Sequence, residues 1–178
     1  MLHFYFDMDG TLCEWKPCED LSVLYKPGYF LGLKRQEHVV LLLCELLDRG
    51  YPCTILSAVL GEVQEAEKRI WLGRVFGDRR PEIPAIFVPN GSNKSHYVSV
   101  NEETVLLDDH SPNLMKWKAA GGTGIKVLNG FNGSGKSWQE GRVDARERIS
   151  VEEVLRLAKA GKTAVSYPVT ATEPVASY

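Results

Sequence analysis

The sequence predicts an α/β fold built from βαβ units around a mostly parallel sheet of five strands. Two observations predict this class. Short apolar runs alternate along the chain with longer segments of helical periodicity, which is the pattern of consecutive βαβ units. The chain has 178 residues, 44% of them hydrophobic, which is enough for the core of one domain.

The first βαβ unit is predicted from two apolar runs and the periodic segment between them. Leu2–Phe6 is an aromatic apolar run that ends at Asp7, and it predicts the first strand. Glu37–Arg49 carries apolar residues at helical spacing, and Gly50 follows it at the position of a helix C-cap glycine. Pro52–Leu56 is then the second strand.

The middle of the chain repeats this alternation. Gly61–Phe76 is predicted as an amphipathic helix whose apolar face consists of Val63, Ala66 and Ile70. Ala85–Val88 is the third strand, and a Pro-Asn-Gly turn follows it. Thr104–Leu107 is the fourth strand, so two more strands join the sheet.

The last third of the chain supplies two helices and the fifth strand. Ser111 and Pro112 are typical of an N-cap followed by proline at the first helical position, so a helix begins there. Ile125–Leu128 is the fifth strand, and Ser150–Glu153 is a capping box that opens the final helix. We therefore expect one domain at 1–162 and a tail at 163–178.

Charge and composition exclude several classes of protein. The formal net charge is −2, so the chain lacks the positive field of a non-specific binder of nucleic acid or membrane surfaces. No apolar run approaches the ~20 residues needed to cross a bilayer, and Leu2–Phe6 lacks the basic flank of a signal peptide. The cysteines show no CxxC spacing, which indicates reduced thiols and a cytoplasmic location.

Four of the predicted strands end near polar residues that can perform chemistry. In chain order these residues are Asp7 and Asp9, Ser57, Lys94, and Asp108 and Asp109. Ligands bind outside the carboxyl ends of parallel strands, so these groups share one rim of the sheet. Crowded carboxylates repel one another unless a divalent cation lies among them, and oxygen ligands suit Mg²⁺. A serine and a lysine are natural partners for the oxygens of a bound phosphate.

These motifs resemble the four signatures of the haloacid dehalogenase (HAD) superfamily of phosphatases. The string Asp-x-Asp-Gly-Thr-Leu, the serine, the lysine and the Asp-Asp pair occur in the family's order over residues 7–109. The flanking sequence looks most like the small 5′(3′)-deoxyribonucleotidase-like group. The resemblance implies a Rossmann-like three-layer sandwich. It also implies a Mg²⁺-dependent phosphomonoesterase that acts on a small phosphorylated metabolite, with a nucleotide favoured.

The resemblance further implies catalytic and metal-binding roles. Asp7 would be the nucleophile that forms an aspartyl-phosphate, and a Mg²⁺ ligand. Asp9 would be the general acid and then the general base, and its backbone carbonyl would be a second Mg²⁺ ligand. One residue of the Asp108–Asp109 pair would complete the metal shell, and the family pattern favours Asp109 as the direct ligand.

Three further residues are expected to bind phosphate. Ser57 would donate a hydrogen bond to the phosphoryl group, and Lys94 would neutralise charge on the nucleophile and the phosphate. Gly10 fits the motif because the turn needs backbone freedom and a side chain there would crowd the phosphate.

Residues 12–36 leave room only for a flap or a minimal cap. The site is therefore expected to be open, and it either admits bulky substrates or relies on a partner subunit to exclude water, which leaves a homo-oligomer as an alternative. The flap interleaves aromatic and basic residues, which suits either nucleobase stacking or simple cover for the core. These residues are Trp15, Tyr25, Tyr29 and Phe30, with Lys16, Lys26, Lys34 and Arg35.

A second phosphate motif offers an alternative function. Gly130–Ser137 satisfies the P-loop pattern GxxxxGK[ST] in full. A P-loop must pass directly into a helix, whereas Ser137 precedes a segment with Gly141 and no apolar stripe. A P-loop nucleotide-binding protein is thus one alternative. A polynucleotide end phosphatase is another, although the balanced charge argues against a nucleic-acid partner.

Overall fold

The computed structural model describes residues 1–15, 20–132 and 137–164. Within these residues six strands form one sheet: β1 (His3–Phe6), β2 (Cys53–Val59), β3 (Ala85–Pro89), β4 (Thr104–Asp108), β5 (Thr123–Leu128) and β6 (Arg142–Asp144). The strand order is β3-β2-β1-β4-β5-β6, and every neighbouring pair is parallel. The predicted α/β class is confirmed. The sixth strand was not predicted, because its three residues contain no apolar run.

Four helices cover the sheet within the described residues: α1 (Glu37–Asp48), α2 (Glu62–Phe76), α3 (Ser111–Ala119) and α4 (Val151–Ala164). The predicted tail lies mostly in 165–178, outside the described residues. In the described part of the chain, no helix combines the length and the apolar character that crossing a membrane requires.

The two faces of the sheet bury separate apolar clusters. Phe4 and Phe6 point into the larger cluster, which includes buried residues of α1, α2 and α4. Tyr5 points into the smaller cluster, where Leu114 and Trp117 of α3 pack. Burying each such side chain contributes about 1.5–3 kcal/mol. The result is the predicted three-layer sandwich, with β1 and β4 at its centre.

Helix α2 turns a different face to the protein from the one its apolar residues predicted. Val63 and Ile70 are 60% and 49% exposed, and Ala66 is exposed as well. The buried face contains both charged and apolar side chains: Gln64, Glu67, Lys68, Trp71, Leu72 and Phe76. The apolar-face prediction is therefore wrong, because the polar members of the buried face find partners inside the protein.

The flap that precedes α1 packs against α2. It contains two 3-10 turns, Leu21–Tyr25 and Phe30–Gly32. The carboxylate of Glu67 accepts hydrogen bonds from the backbone N–H groups of Gly28 and Phe30. The indole N–H of Trp71 donates to the carbonyl of Leu33 at 2.7 Å. Helix α2 therefore holds the flap in place at two points.

Candidate active site

A buried lysine joins two carboxylates at the carboxyl end of the central strands. Asp7 follows β1, Asp108 ends β4, and Lys94 begins the 3-10 turn Lys94–His96. The ammonium of Lys94 lies 2.6 Å from Oδ1 of Asp7 and 2.7 Å from Oδ2 of Asp108. Burial opposes the charge of Lys94, but the Asp108 and Asp7 carboxylates outweigh it and raise the Lys94 pKa above its ordinary value. The lysine therefore stays protonated between two carboxyl groups.

Asp109 adds another carboxylate to this cluster. Oxygen atoms of Asp7, Asp108 and Asp109 lie within 4.8 Å of one another. Burial, followed by repulsion from Asp108 and Asp7, raises the pKa of Asp109 to about 8. Three hard oxygen donors placed close together match the ligand preference of Mg²⁺, so these residues fit the metal that the sequence predicts.

The partners of the two adjacent aspartates differ. Asp108 Oδ1 accepts from the backbone N–H of His110 at 2.8 Å, and its Oδ2 accepts from Lys94 and from the Asn113 amide at 3.0 Å. The Asp109 carboxylate instead accepts one amide hydrogen bond, from Asn129 at 3.1 Å. Asp108 is thus engaged within the protein, and Asp109 has more capacity left for a cation.

Two asparagines after β5 donate hydrogen bonds to Asp109. The amide of Asn129 also donates to the Gly10 carbonyl at 2.9 Å, and the amide of Asn132 donates to the Asp109 carbonyl at 3.1 Å. Gly10 has a φ of +77°, and a Cβ there would lie 2.3 Å from Oδ2 of Asp109. The backbone freedom predicted for Gly10 is therefore required, and the space beside it is filled by Asp109 and Asn129.

Asp9 has a cationic partner that sequence reasoning did not find. The ammonium of Lys68, in α2, lies 2.6 Å from Oδ2 of Asp9. It also donates to Oγ of the fully buried Ser57 at 3.1 Å and to the carbonyl of Ala58 at 2.7 Å. Burial raises the Asp9 pKa, and the Lys68 charge opposes that rise. Lys68 lies within a helix rather than after a strand, so the strand-end rule does not select it.

These groups open onto a cavity of about 410 Å³. Asp7, Asp9, Lys94 and Asp109 line it. Its other lining residues include one aromatic ring and several hydrogen-bonding or cationic side chains: Trp15, Asn90, Ser92, His110, Asn113 and Lys116. Of the flap aromatics, Trp15 reaches this cavity, whereas Phe30 is buried against the protein. Lys16 lies outside the described residues.

The P-loop pattern does not have the structure that a P-loop requires. Residues 133–136 lie outside the described part of the chain. Ser137 Oγ donates to Oγ of Ser111, and the next regular element is the strand β6 rather than a helix. No helix N-terminus therefore follows the pattern to hold a phosphate.

Comparison with known proteins identifies the fold. Neither a family model nor a curated protein matches the chain. A HAD hydrolase (family IA, variant 3) from Entamoeba histolytica is 14% identical with a TM-score of 0.58, and the match covers 89% of this chain and 100% of that one.

Two solved heptose phosphatases are also similar. The D,D-heptose 1,7-bisphosphate phosphatase from Burkholderia thailandensis is 14% identical with a TM-score of 0.58, over 94% of this chain and 100% of that one. The corresponding enzyme from B. bronchiseptica, solved with magnesium and phosphate, is 10% identical with a TM-score of 0.50, over 71% and 80% of the two chains. The chain therefore has the HAD-like fold.

Proposed function

From this fold and cavity, we propose that the protein is a Mg²⁺-dependent phosphomonoesterase that works through an aspartyl-phosphate on Asp7. The observation that carries the proposal is the position of Asp7. Its carboxylate lines the cavity, is held by Lys94, and lies within 4.8 Å of the Asp108 and Asp109 carboxylates. A nucleophilic carboxylate, a fixed cation and a cluster of oxygen donors are the groups that phosphoryl transfer requires.

Each residue has one task in the proposed reaction. The Asp7 carboxylate attacks phosphorus, and the bond from phosphorus to the ester oxygen breaks while the Asp9 carboxyl gives its proton to the leaving oxygen. Asp9 then takes a proton from water, which attacks the aspartyl-phosphate and releases phosphate and the Asp7 carboxylate. Lys94 stays charged throughout. Ser57 is fully buried and is not among the residues that line the cavity, so its part in the proposed reaction is to accept the hydrogen bond from Lys68.

Mg²⁺ would be held by the carboxylates of Asp7 and Asp109 and by the backbone carbonyl of Asp9. When bound, the ion supplies positive charge for the phosphoryl oxygens and relieves the repulsion among the carboxylates. The magnesium and phosphate of the similar B. bronchiseptica phosphatase support this choice of metal.

We propose a nucleotide as the substrate. Trp15 offers an aromatic face to a base, and Lys116 offers a cation to a second anionic group, both in the wall of the catalytic cavity.

Within the described residues, Cys13, Cys44 and Cys53 are free thiols, which supports the proposal that the protein works in the reducing cytoplasm.

A phosphatase screen tests both the proposed mechanism and the proposed class of substrate. Nucleoside monophosphates, sugar phosphates, p-nitrophenyl phosphate and short oligonucleotides with terminal phosphates are compared with and without Mg²⁺. We expect Mg²⁺-dependent release of phosphate that Asp7→Asn abolishes and the surface variant Asp78→Asn retains. Release that is unchanged in Asp7→Asn would refute the mechanism, and preference for oligonucleotide ends would favour the polynucleotide phosphatase.

The nucleotide proposal has its own test. Trp15→Ala should raise KM for the nucleoside monophosphate and leave KM for p-nitrophenyl phosphate nearly unchanged, and Trp15→Phe should restore most of the loss. An equal change for both substrates would refute base stacking on Trp15.

A further inference from the structure

Lys68 is a fully buried lysine whose ammonium has an acceptor for each of its three hydrogens. Its side chain is 0% exposed, and its partners are Oδ2 of Asp9, the carbonyl of Ala58 and Oγ of Ser57, at 2.6, 2.7 and 3.1 Å. An ammonium is costly to bury, and hydrogen bonds to all three hydrogens offset that cost and fix its position. A group fixed in this way can in turn fix the side chains that it contacts.

Among those partners, Asp9 and Ala58 both line the cavity, and Asp9 contributes the carboxyl group. Its side chain is 25% exposed and lines the cavity beside Asp7. With Oδ2 held by Lys68, rotation of the carboxyl group would break a short charged hydrogen bond. The same ammonium contacts the buried hydroxyl of Ser57, so one anchor sets the place of both the acid and that hydroxyl.

The flap shields this anchor from water. The ring of Phe30 lies over Lys68, with 5.0 Å between the ammonium nitrogen and the ring centroid. Glu67, the residue before Lys68, accepts a hydrogen bond from the backbone N–H of Phe30 at 3.2 Å and so holds that ring in place. Excluding water strengthens the attraction between Lys68 and Asp9, because the local dielectric constant falls.

We propose that Lys68 is a positioning residue that orients the carboxyl group of Asp9 for proton transfer to the leaving oxygen. This inference rests on the proposed phosphatase function. It differs from a purely structural role because the Lys68 ammonium contacts the carboxyl group of Asp9, which lines the cavity.

Two aryl phosphates of similar shape separate positioning from structure. Phenyl phosphate releases a phenol whose pKa is about 10, like that of tyrosine, so its departure needs a proton. p-Nitrophenyl phosphate releases a much weaker base and needs little help from an acid. The ratio kcat/KM reports the step in which the leaving group departs. Comparing kcat/KM for the two substrates therefore measures the contribution of Asp9 as a general acid.

We expect Lys68→Met to lower kcat/KM for phenyl phosphate by about 100-fold and that for p-nitrophenyl phosphate by about 3-fold or less. Asp9→Asn should show the same pattern, and the double variant should be no worse than Asp9→Asn. Lys126→Met is the matched control, because Lys126 is also buried but donates to Ser111 Oγ and to the Asp109 carbonyl. It should leave the ratio between the two substrates unchanged.

The outcomes distinguish the two proposals. Equal losses for both substrates in Lys68→Met would show that the lysine is merely structural and would overturn the inference. The proposed phosphatase function would still stand in that case, provided that the wild type is active. A wild type that hydrolyses neither substrate would overturn both. If Lys68→Met does not fold, Lys68→Gln takes its place with the same expected pattern, because its amide keeps a donor for the Ala58 carbonyl.

Discussion

Replacing Gly10 with alanine tests the packing around the cluster of Asp7, Asp108 and Asp109 carboxylates without changing any charged group. Gly10 has a φ of +77° and Gly50, at the end of α1, has a φ of +79°. A left-handed backbone costs a residue with a Cβ about 1–2 kcal/mol, so the free energy of unfolding falls by this amount in both alanine variants. Gly50→Ala is therefore a control with the same backbone strain.

The two variants differ in what the new Cβ meets. At Gly10 it would lie 2.3 Å from Oδ2 of Asp109 and 2.9 Å from the amide nitrogen of Asn129, whereas at Gly50 nothing lies within 4 Å. Asp109 must move by at least about 1 Å to reach an ordinary contact distance. That movement breaks its hydrogen bond to Asn129, which is worth about 0.5–1.5 kcal/mol. The total loss of folding free energy is then about 1.5–3.5 kcal/mol for Gly10→Ala against about 1–2 kcal/mol for Gly50→Ala.

Urea unfolding with and without Mg²⁺ measures both consequences. At 100 times its Kd, Mg²⁺ should raise the free energy of unfolding by about 2.7 kcal/mol in the wild type and in Gly50→Ala. Gly10→Ala should lose most of this gain, because Asp109 is displaced. Equal destabilisation of the two variants, with the Mg²⁺ gain retained in both, would refute the close approach of Gly10 to Asp109.

Three further predictions concern other parts of the protein. Lys94→Met should lower the free energy of unfolding by about 3–5 kcal/mol in metal-free urea titrations, because Asp7 and Asp108 lose their buried counter-charge; a loss below about 1 kcal/mol would contradict this. Burial lowers the pKa of His3 below 6.5, so the stability gained from its neutral form is complete above pH 6.5 and is lost as the pH falls through the folded-state pKa. The difference in urea midpoint between wild type and His3→Gln should therefore shrink on going from pH 7.5 to pH 5, and a constant difference would count against it. Trp71→Phe removes the indole hydrogen bond to the flap, so it should cost about 1 kcal/mol and speed proteolytic cleavage within residues 20–36; cleavage at the wild-type rate would show that this bond does not hold the flap.

The strand ends of the candidate site could be predicted because parallel strands obey a simple rule. Strands that alternate with helices bring their carboxyl ends to one edge, so Asp7, Lys94 and the acid pair at the end of β4 were expected together. Applying the same rule to β5 would also have singled out Asn129, which follows that strand and supports Asp109. Its role was missed because an amide alone carries no catalytic signature.

Helix α2 could not be predicted correctly from its apolar residues. Glu67 and Lys68 are as buried as Trp71 and Leu72, and they occupy the same face at spacings of three and four residues. A prediction from apolar periodicity assumes that charged residues face solvent. In this helix, however, charged residues are buried because distant segments of the chain supply their partners. The polar contacts of Lys68 come from β2 and from the loop after β1, and no local pattern reports them.

The central position of β1 also determines when the protein becomes complete during its synthesis. Phe4 of β1 pairs with Cys53 of β2 on one side and with Val105 of β4 on the other. At ordinary translation rates β4 leaves the ribosome about 5–20 s after β1. During that interval the nascent chain exposes an aromatic strand edge that can pair with other chains. A growing chain that stops before Thr104 already contains Asp7, the proposed nucleophile, but lacks β4 and the Asp108–Asp109 pair that complete the carboxylate cluster.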